Sequence, residues 1–297
     1  MTETGYRSGD SLPSSDIRRA GDVGRVLFVA NVDTHLWAFH LPYMDLLRDM
    51  GYTVEAAAEP AGFAEKILSD GYEVHPIPFT RHPLSFRNIM AYRELCRLLR
   101  SRRYTMVHVH TPVAGFLGRL AARRQEVPHI LYTAHGFHFH SYGRRWANTL
   151  YYMLERMAVP WTDVLITINK EDFSIASRAF AHSGTRILYV PGVGTDCRTF
   201  TPVSAGEKER ERIRLHLAGA AVVIAWVAEF IPRKRPVDII TAVDGLGSPE
   251  RMQLVMLGDG PLLESVRNMV LRRSGKSAVL CPGRVANVGE YLAASDI

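Results

Sequence analysis

The sequence predicts an α/β protein made of two doubly wound parallel-sheet domains of unequal size. Three observations lead there. From Arg25 onward, short apolar runs alternate with longer segments of helical periodicity, the pattern of a parallel sheet covered on both faces. The alternation stops at "GVGTDCRTFTP" (192–202) and restarts after it. The length, 297 residues, suits about two domains.

Residues 1–24, "MTETGYRSGDSLPSSDIRRAGDVG", are polar and rich in Ser and Gly. They lack the apolar stretch of a signal peptide or an anchor and are expected to be a disordered lead-in. The first domain, 25–191, is expected to carry strands at 25–30, 52–58, 73–77, 106–110, 129–133, 163–168 and 186–191. Helical patterns cover 39–50, 86–103, 112–124, 144–158 and 170–181. Residues 192–202, with two glycines, a proline and no periodicity, are expected to be a linker. In 203–297 the expected order is helix 205–216, strand 221–228, helix 236–243, strand 252–257, helix 261–272, strand 277–281 and helix 287–294. The chain then starts what reads as a further strand and stops at Ile297. The second domain is therefore expected to be incomplete.

Bulk composition narrows the function. Hydrophobic residues make up 47% and charged residues 22%, ordinary for a globular protein. The net charge of +6 makes anionic partners worth weighing. Cys96, Cys197 and Cys281 form no C-x-x-C. A disulfide framework or zinc knuckle is not suggested, and a reducing, cytoplasmic compartment fits best. No apolar run reaches the length of a membrane span.

The motifs are informative in both directions. No strand is followed by G-x-G-x-x-G, which disfavours a nicotinamide enzyme. "SGKS" (274–277) fails as a P-loop because Val270 stands where the first glycine belongs. His108, His110, His135, His138 and His140 have spacings that could ligate a metal, yet no D-x-D pair exists. Structural or ligand-contacting histidines are expected instead, and no metal. His110-Thr111-Pro112 and Thr133-Ala134-His135-Gly136 lie where strands end, the place where such domains present their chemistry. Gly136 would let backbone approach a ligand.

The segment 86–104 is basic and amphipathic, with Phe86, Ile89, Met90, Cys96, Leu98 and Leu99 as a possible apolar face. It reads as a cover helix, or as a helix docking on anionic lipid. Nucleic acid is not expected, since no reader motif appears. In "AWVAEFIPRKRP" (225–236), Arg233 and Lys234 follow a predicted strand and suit a phosphate. In "LGDGPLLESV", Gly258 and Gly260 flank Asp259, and Pro261 suits the first turn of a helix. Free backbone N–H groups there would favour an anion. Either element alone could be an ordinary strand-to-helix turn; together they favour a nucleotide site.

Several segments, in this order and spacing, resemble family 4 glycosyltransferases. They are "FVANVDTHLWAFHLPYMDLLRDMGYTVEAAA", "VHVHTPVAGFLGRLAAR", "ILYTAHGFHFH", "VLITINKEDF", "VPGVGTD", "VAEFIPRKRPVDII", "LVMLGDGPLLE" and "GRVANVGEYLAASDI". The likeness covers 25–297 and is nearest to the branch acting in capsule, exopolysaccharide and O-antigen assembly. It implies the GT-B architecture, two Rossmann-like domains facing a cleft. It also implies transfer, with retention and without a metal, from a nucleotide-sugar donor, a UDP-sugar above all, to a lipid-linked saccharide. That chemistry belongs in the cytoplasm or at the inner face of the membrane.

By the same resemblance Lys234 grips the donor diphosphate, Arg233 supplies a second cation, and His135 sits near the transferred sugar. Gly192, Gly194, Glu229, Gly258, Asp259, Gly260, Pro261 and the loop Gly283-Arg284-Val285 fall on the donor side. Asn31, His40, His110 and Thr111 fall on the acceptor side. Glu229 departs from the family, where Arg is frequent, and the family's pair of glutamates eight residues apart would lie beyond Ile297. Two other readings stay open. One is a truncated, inactive product with weak nucleotide binding; the other is a nucleotide-sugar epimerase or dehydrogenase.

Overall fold

The computed structural model describes residues 23–139, 145–195, 197, 200–217, 222–246, 251–273 and 278–297. Residues 1–22 of the lead-in, His140 and the 274–277 motif lie outside the described residues. The chain divides into two compact units between Gly194 and Thr195, inside the segment read as a linker. Val23 and Gly24, read as lead-in, are part of the fold. Val23 N–H donates to Gly51 O (3.4 Å), and Gly24 O accepts from Thr53 N–H (3.0 Å).

The first unit holds strands β1 (Arg25–Val32), β2 (Thr53–Glu59), β3 (Glu73–Pro76), β4 (Met106–His110), β5 (His129–Ala134), β6 (Val164–Thr167) and β7 (Arg186–Tyr189). All pair in parallel, in the order β3-β2-β1-β4-β5-β6-β7. Successive side chains of β1 reach opposite faces. Val26, Phe28 and Ala30 join one buried cluster, and Leu27 and Val29 join the other. Both faces are apolar because helices cover both, as a parallel sheet requires. The strand order reverses between β1 and β4, and a doubly wound sheet opens its ligand crevice at the carboxyl ends beside such a point.

The helices of this unit are α1 (Asp33–Phe39), α2 (Leu41–Asp49), α3 (Ala64–Ser69), α4 (Arg87–Arg102), α5 (Pro112–Arg124), α6 (Arg145–Ala158) and α7 (Lys170–Ala179). The helix expected over 39–50 is α2, and α1, which precedes it across His40, was not expected from the sequence. Pro42 stands in the first turn of α2, where its missing N–H costs nothing and forces the restart. Helix α3 was not expected from the sequence. Helix α5 lies hard against the sheet because Gly115 and Gly118 face it. A Cβ on Gly118 would stand 2.6 Å from Val109 Cγ1.

The second unit holds α8 (Ala205–Arg214), β8 (Val222–Val227), α9 (Pro236–Asp244), β9 (Met252–Leu257), α10 (Leu263–Leu271), β10 (Ala278–Gly283) and α11 (Val288–Ala294). Its sheet is parallel, in the order β10-β9-β8. Ser204 and Glu207 close a capping box on α8. The strand-like start expected after α11 is seen as backbone pairing on β8. Asp296 N–H donates to Val223 O (2.8 Å), and Ala225 N–H donates to Ile297 O (2.8 Å). Pro261 does not open a helix as expected, since α10 begins two residues later, at Leu263.

Candidate active-site regions of the two units

In the first unit the carboxyl ends of β1 and β4 are tied together by Asn31 and Thr111. Asn31 N–H donates to Thr111 Oγ1 (3.0 Å), and that hydroxyl donates to Asn31 Oδ1 (2.8 Å). The same Oδ1 accepts from Ala114 N–H at 2.8 Å, satisfying an open donor in the first turn of α5. Thr111 holds φ at 63°, rare for a β-branched residue. These bonds hold the backbone in that conformation. Both residues line a cavity of about 240 Å³ together with His35, Arg81, His138 and Tyr151.

His135 follows the last residue of β5, and Asp172 of α7 organises the loop that carries it. Asp172 Oδ2 accepts from Phe137 N–H (2.9 Å) and from Asn169 Nδ2 (2.7 Å). Asn169 in turn caps α7, its Oδ1 accepting from Asp172 N–H (2.8 Å). Gly136 has φ 128°, and a Cβ there would meet no atom within 4 Å. The glycine is needed for its conformation, not for close packing.

Five imidazoles gather at this end of the sheet. His35 and His40 come from the segment after β1, His108 and His110 from β4, and His135 from beyond β5. The rings of His40 and His110 stack at 3.7 Å, and His35 meets His135 edge-on at 4.4 Å. Burial, with the neighbouring imidazoles adding to it at most of these sites, pushes every one of them below its ordinary value. His35 and His135 fall to about 4, His108 to about 3, His40 to about 2, and His110 well below 6.5. All five are neutral near pH 7. His108 Nε2 lies 2.8 Å from Thr133 Oγ1. The Nε2 atoms of His35, His40 and His135, and both ring nitrogens of His110, are buried without a hydrogen-bond partner.

The acceptor-side expectations fare differently. His110 is fully buried and stacks on Phe28, so it presents no surface to an acceptor. His40 lines a second, mostly apolar cavity of about 90 Å³ with Tyr43, His108, Thr133 and Gly192. Gly192 and Gly194, with φ of 83° and 82°, belong to the first unit. The Tyr43 hydroxyl fixes their turn by donating to Val193 O (2.9 Å).

In the second unit Arg233 and Lys234 lie in a short 3-10 turn, Pro232–Lys234, past the carboxyl end of β8. Both are exposed, and neither has an ion-pair partner among the described residues. The neighbouring Arg235 pairs with Asp238. Glu229 is exposed at the start of the same loop. The glycine turn after β9 proves to be a packing device. A Cβ on Gly258 (φ 140°) would stand 1.9 Å from Ala228 O, and one on Gly260 (φ 146°) 2.8 Å from Phe230 O. Two of the N–H groups expected to be free for an anion are engaged. Gly258 N–H donates to Gly283 O (2.9 Å), and Gly260 N–H donates to Asp259 Oδ1 (2.7 Å). Gly283 ends β10 with φ 92°, and Arg284 is exposed. The Val285 side chain packs on the cluster around Val223 and Leu257.

Comparison with known proteins decides the family. The model of the glycosyl transferase 4-like domain matches residues 41–192. EpsD of Bacillus subtilis (strain 168), a glycosyltransferase by assignment, is 34% identical over 277 residues, covering 92% of this chain and 71% of the relative. The chain belongs to the family 4-like glycosyltransferases. An Escherichia coli UDP-Gal:alpha-D-GlcNAc-diphosphoundecaprenol alpha-1,3-galactosyltransferase is 27% identical over 263 residues, covering 86% of this glycosyltransferase and 67% of that enzyme. The fold matches that of Anabaena Alr3699/HepE, solved in complex with UDP-glucose. The TM-score is 0.64 at 15% identity, covering 92% of this chain and 72% of that one. The expected GT-B architecture stands on such likenesses.

Some residues that shape this glycosyltransferase's sites were not singled out in the sequence. They are His35, Asp172, Arg81 and Tyr43. Asn169 and Asp172 carry a readable signal, an Asn followed three residues later by Asp at a helix start. His35 carries none, because its ring meets His135 across 100 residues of chain.

Proposed function

We propose that this chain moves a sugar from a UDP-linked donor to a lipid-linked saccharide in surface-polysaccharide assembly, with retention of configuration. The carrying observation is the exposed pair Arg233–Lys234, without ion-pair partners among the described residues, at a strand's carboxyl end. The relative that uses a UDP-sugar and a diphosphoundecaprenol acceptor supports the substrate classes. In this reading the acceptor hydroxyl oxygen bonds to the anomeric carbon on the face from which UDP leaves. The bond from that carbon to the diphosphate breaks, and a phosphate oxygen takes the hydroxyl proton. Lys234 and Arg233 offset the charge growing on the leaving group, where a fixed cation lowers the barrier. No metal is needed on the diphosphate.

His135 orients the sugar by hydrogen bonding. Burial holds it near pKa 4, too weak a base to remove the acceptor proton at neutral pH. This agrees with a proton acceptor on the leaving group. Asn31, Thr111 and the cavity they line serve the acceptor side. The test is a transfer assay with a panel of UDP-sugars and an undecaprenyl-diphosphate-linked saccharide, with the product's anomeric configuration read by NMR. An inverted product, or turnover only with a non-uridine donor, contradicts the reading.

The same reading seats the chain on anionic lipid. Helix α6 exposes Trp146 (68%), Leu150 (45%), Met153 (56%) and Met157 (54%), spaced to share one face. Helix α4 begins with exposed Ile89 and Met90 just after exposed Phe86, and carries exposed Arg93, Arg97 and Arg100. Apolar side chains beside arginines suit a negatively charged bilayer surface. The apolar face read from the sequence of α4 divides between the two expected roles, core cover and exposed surface. Leu99 is buried and Cys96 and Leu98 pack on the core, so only the first turns are free.

A further inference from the structure

We propose that His35, His40 and His135 form a binding site for one borderline transition-metal ion, of the Zn2+, Ni2+ or Cu2+ class. Each residue offers one ring nitrogen, and the three offered atoms lie within 4.8 Å of one another. Ligands on one metal ion stand closer together than that limit, since Zn–N bonds are roughly 2.0–2.1 Å, so the rings would turn to bring their nitrogens onto the ion. The Nε2 of each is buried and unpartnered, and a buried polar atom left so is costly unless something fills the place. His40 is 2% exposed and stacks on the fully buried His110, so one ligand is held rigidly. The rings of His35 and His40 meet His135 at 4.4 and 5.2 Å.

The ligand set names the ion class. Three neutral imidazoles suit Zn2+, Ni2+ and Cu2+, whereas Mg2+, Mn2+ and Ca2+ favour carboxylate and carbonyl oxygen. The site therefore differs in chemistry from any ion that would sit on a diphosphate. Room for a fourth ligand is at hand, since His35 lines the 240 Å³ cavity and His40 the smaller one. The inference goes beyond the glycosyl-transfer reading, in which His135 meets the sugar when no ion is bound, and its test reads no transfer.

Tag-free chain, stripped with EDTA, is titrated calorimetrically with Zn2+ and with Ni2+, and with Mg2+ for comparison. The expected result is one equivalent of Zn2+ or Ni2+, a rise in melting temperature, and no Mg2+ binding. Zinc X-ray absorption on the one-equivalent complex reads three imidazoles without any variant. His35→Ala and His135→Asn each weaken Zn2+ binding more than about tenfold, the least that losing even a supporting residue costs a metal site. His82→Ala, at an exposed histidine, leaves it unchanged. A folded chain that binds no Zn2+ overturns the proposal. So does a bound ion with fewer than three imidazoles, or unchanged affinity in folded His35→Ala and His135→Asn.

Discussion

At the scale of the residue, chemistry and packing divide the motifs. Gly258 and Gly260 read as a phosphate-friendly turn, and the structure gives them a packing role against the loop that carries the cations. Gly258→Ala would bring its Cβ to 1.9 Å from Ala228 O in a conformation with φ 140°. Strained backbone alone costs about 1–3 kcal/mol. The expected outcome is a destabilised second unit in urea denaturation; unchanged stability contradicts the packing role. His135 gives a second prediction. Because burial lowers it to about 4, kcat/KM shows no inflection between pH 6 and 8 from this group. A rate that falls away below an inflection near pH 6.5, and loses that inflection in His135→Asn, assigns it a proton-transfer role instead.

At the scale of the element, α6 joins a buried contact to an exposed face. Its Glu155 accepts from Arg119 Nη2 of α5 (2.9 Å) and from the Tyr132 hydroxyl of β5 (3.2 Å), and Arg119 is wholly buried. Glu155→Ala strands that guanidinium and should cost about 3–5 kcal/mol in denaturant unfolding, whereas replacing both partners by Leu and Met recovers much of it. On the opposite face, Leu150→Glu with Met153→Glu should reduce sedimentation with vesicles containing phosphatidylglycerol by at least about tenfold. Each side chain removed from water contributes about 1.5–3 kcal/mol. Wild-type-like sedimentation would assign docking elsewhere. The strands and most helices were legible in the sequence because period-2 and period-3.6 patterns report directly on buried faces. Helices α1 and α3 are only seven and six residues long, too short for a period to show. The apolar face of α4 divides between core and solvent, because periodicity finds a stripe without saying what covers it.

At the scale of the whole molecule, the family and the order of elements were written in local segments, while the histidine cluster was not. Its members span residues 35 to 135, and only the strand order brings them to one end of the sheet. That cluster sets a pH limit on the first unit. The folded state holds His35, His40, His108, His110 and His135 neutral, each below the ordinary 6.5. The unfolded chain takes up protons below about pH 6.5 that the folded chain refuses. Stability is therefore full above that value and lost as pH falls toward 4. The melting temperature should drop steeply from pH 7 to 5, with more than one proton taken up per molecule on unfolding. A flat profile contradicts neutral burial.

In the proposed reaction the exposed cations after β8 hold the diphosphate of a uridine nucleotide. The most direct measurement is calorimetric titration of UDP into the chain, beside Lys234→Ala and Arg235→Ala. Wild type should bind. Lys234→Ala should weaken binding by about 1.5–3 kcal/mol, the value of a hydrogen bond to a charged group. Arg235→Ala, which removes a side chain already paired with Asp238, should change it little. A folded chain that binds no UDP, or a Lys234→Ala variant that binds it as wild type does, would contradict the claim.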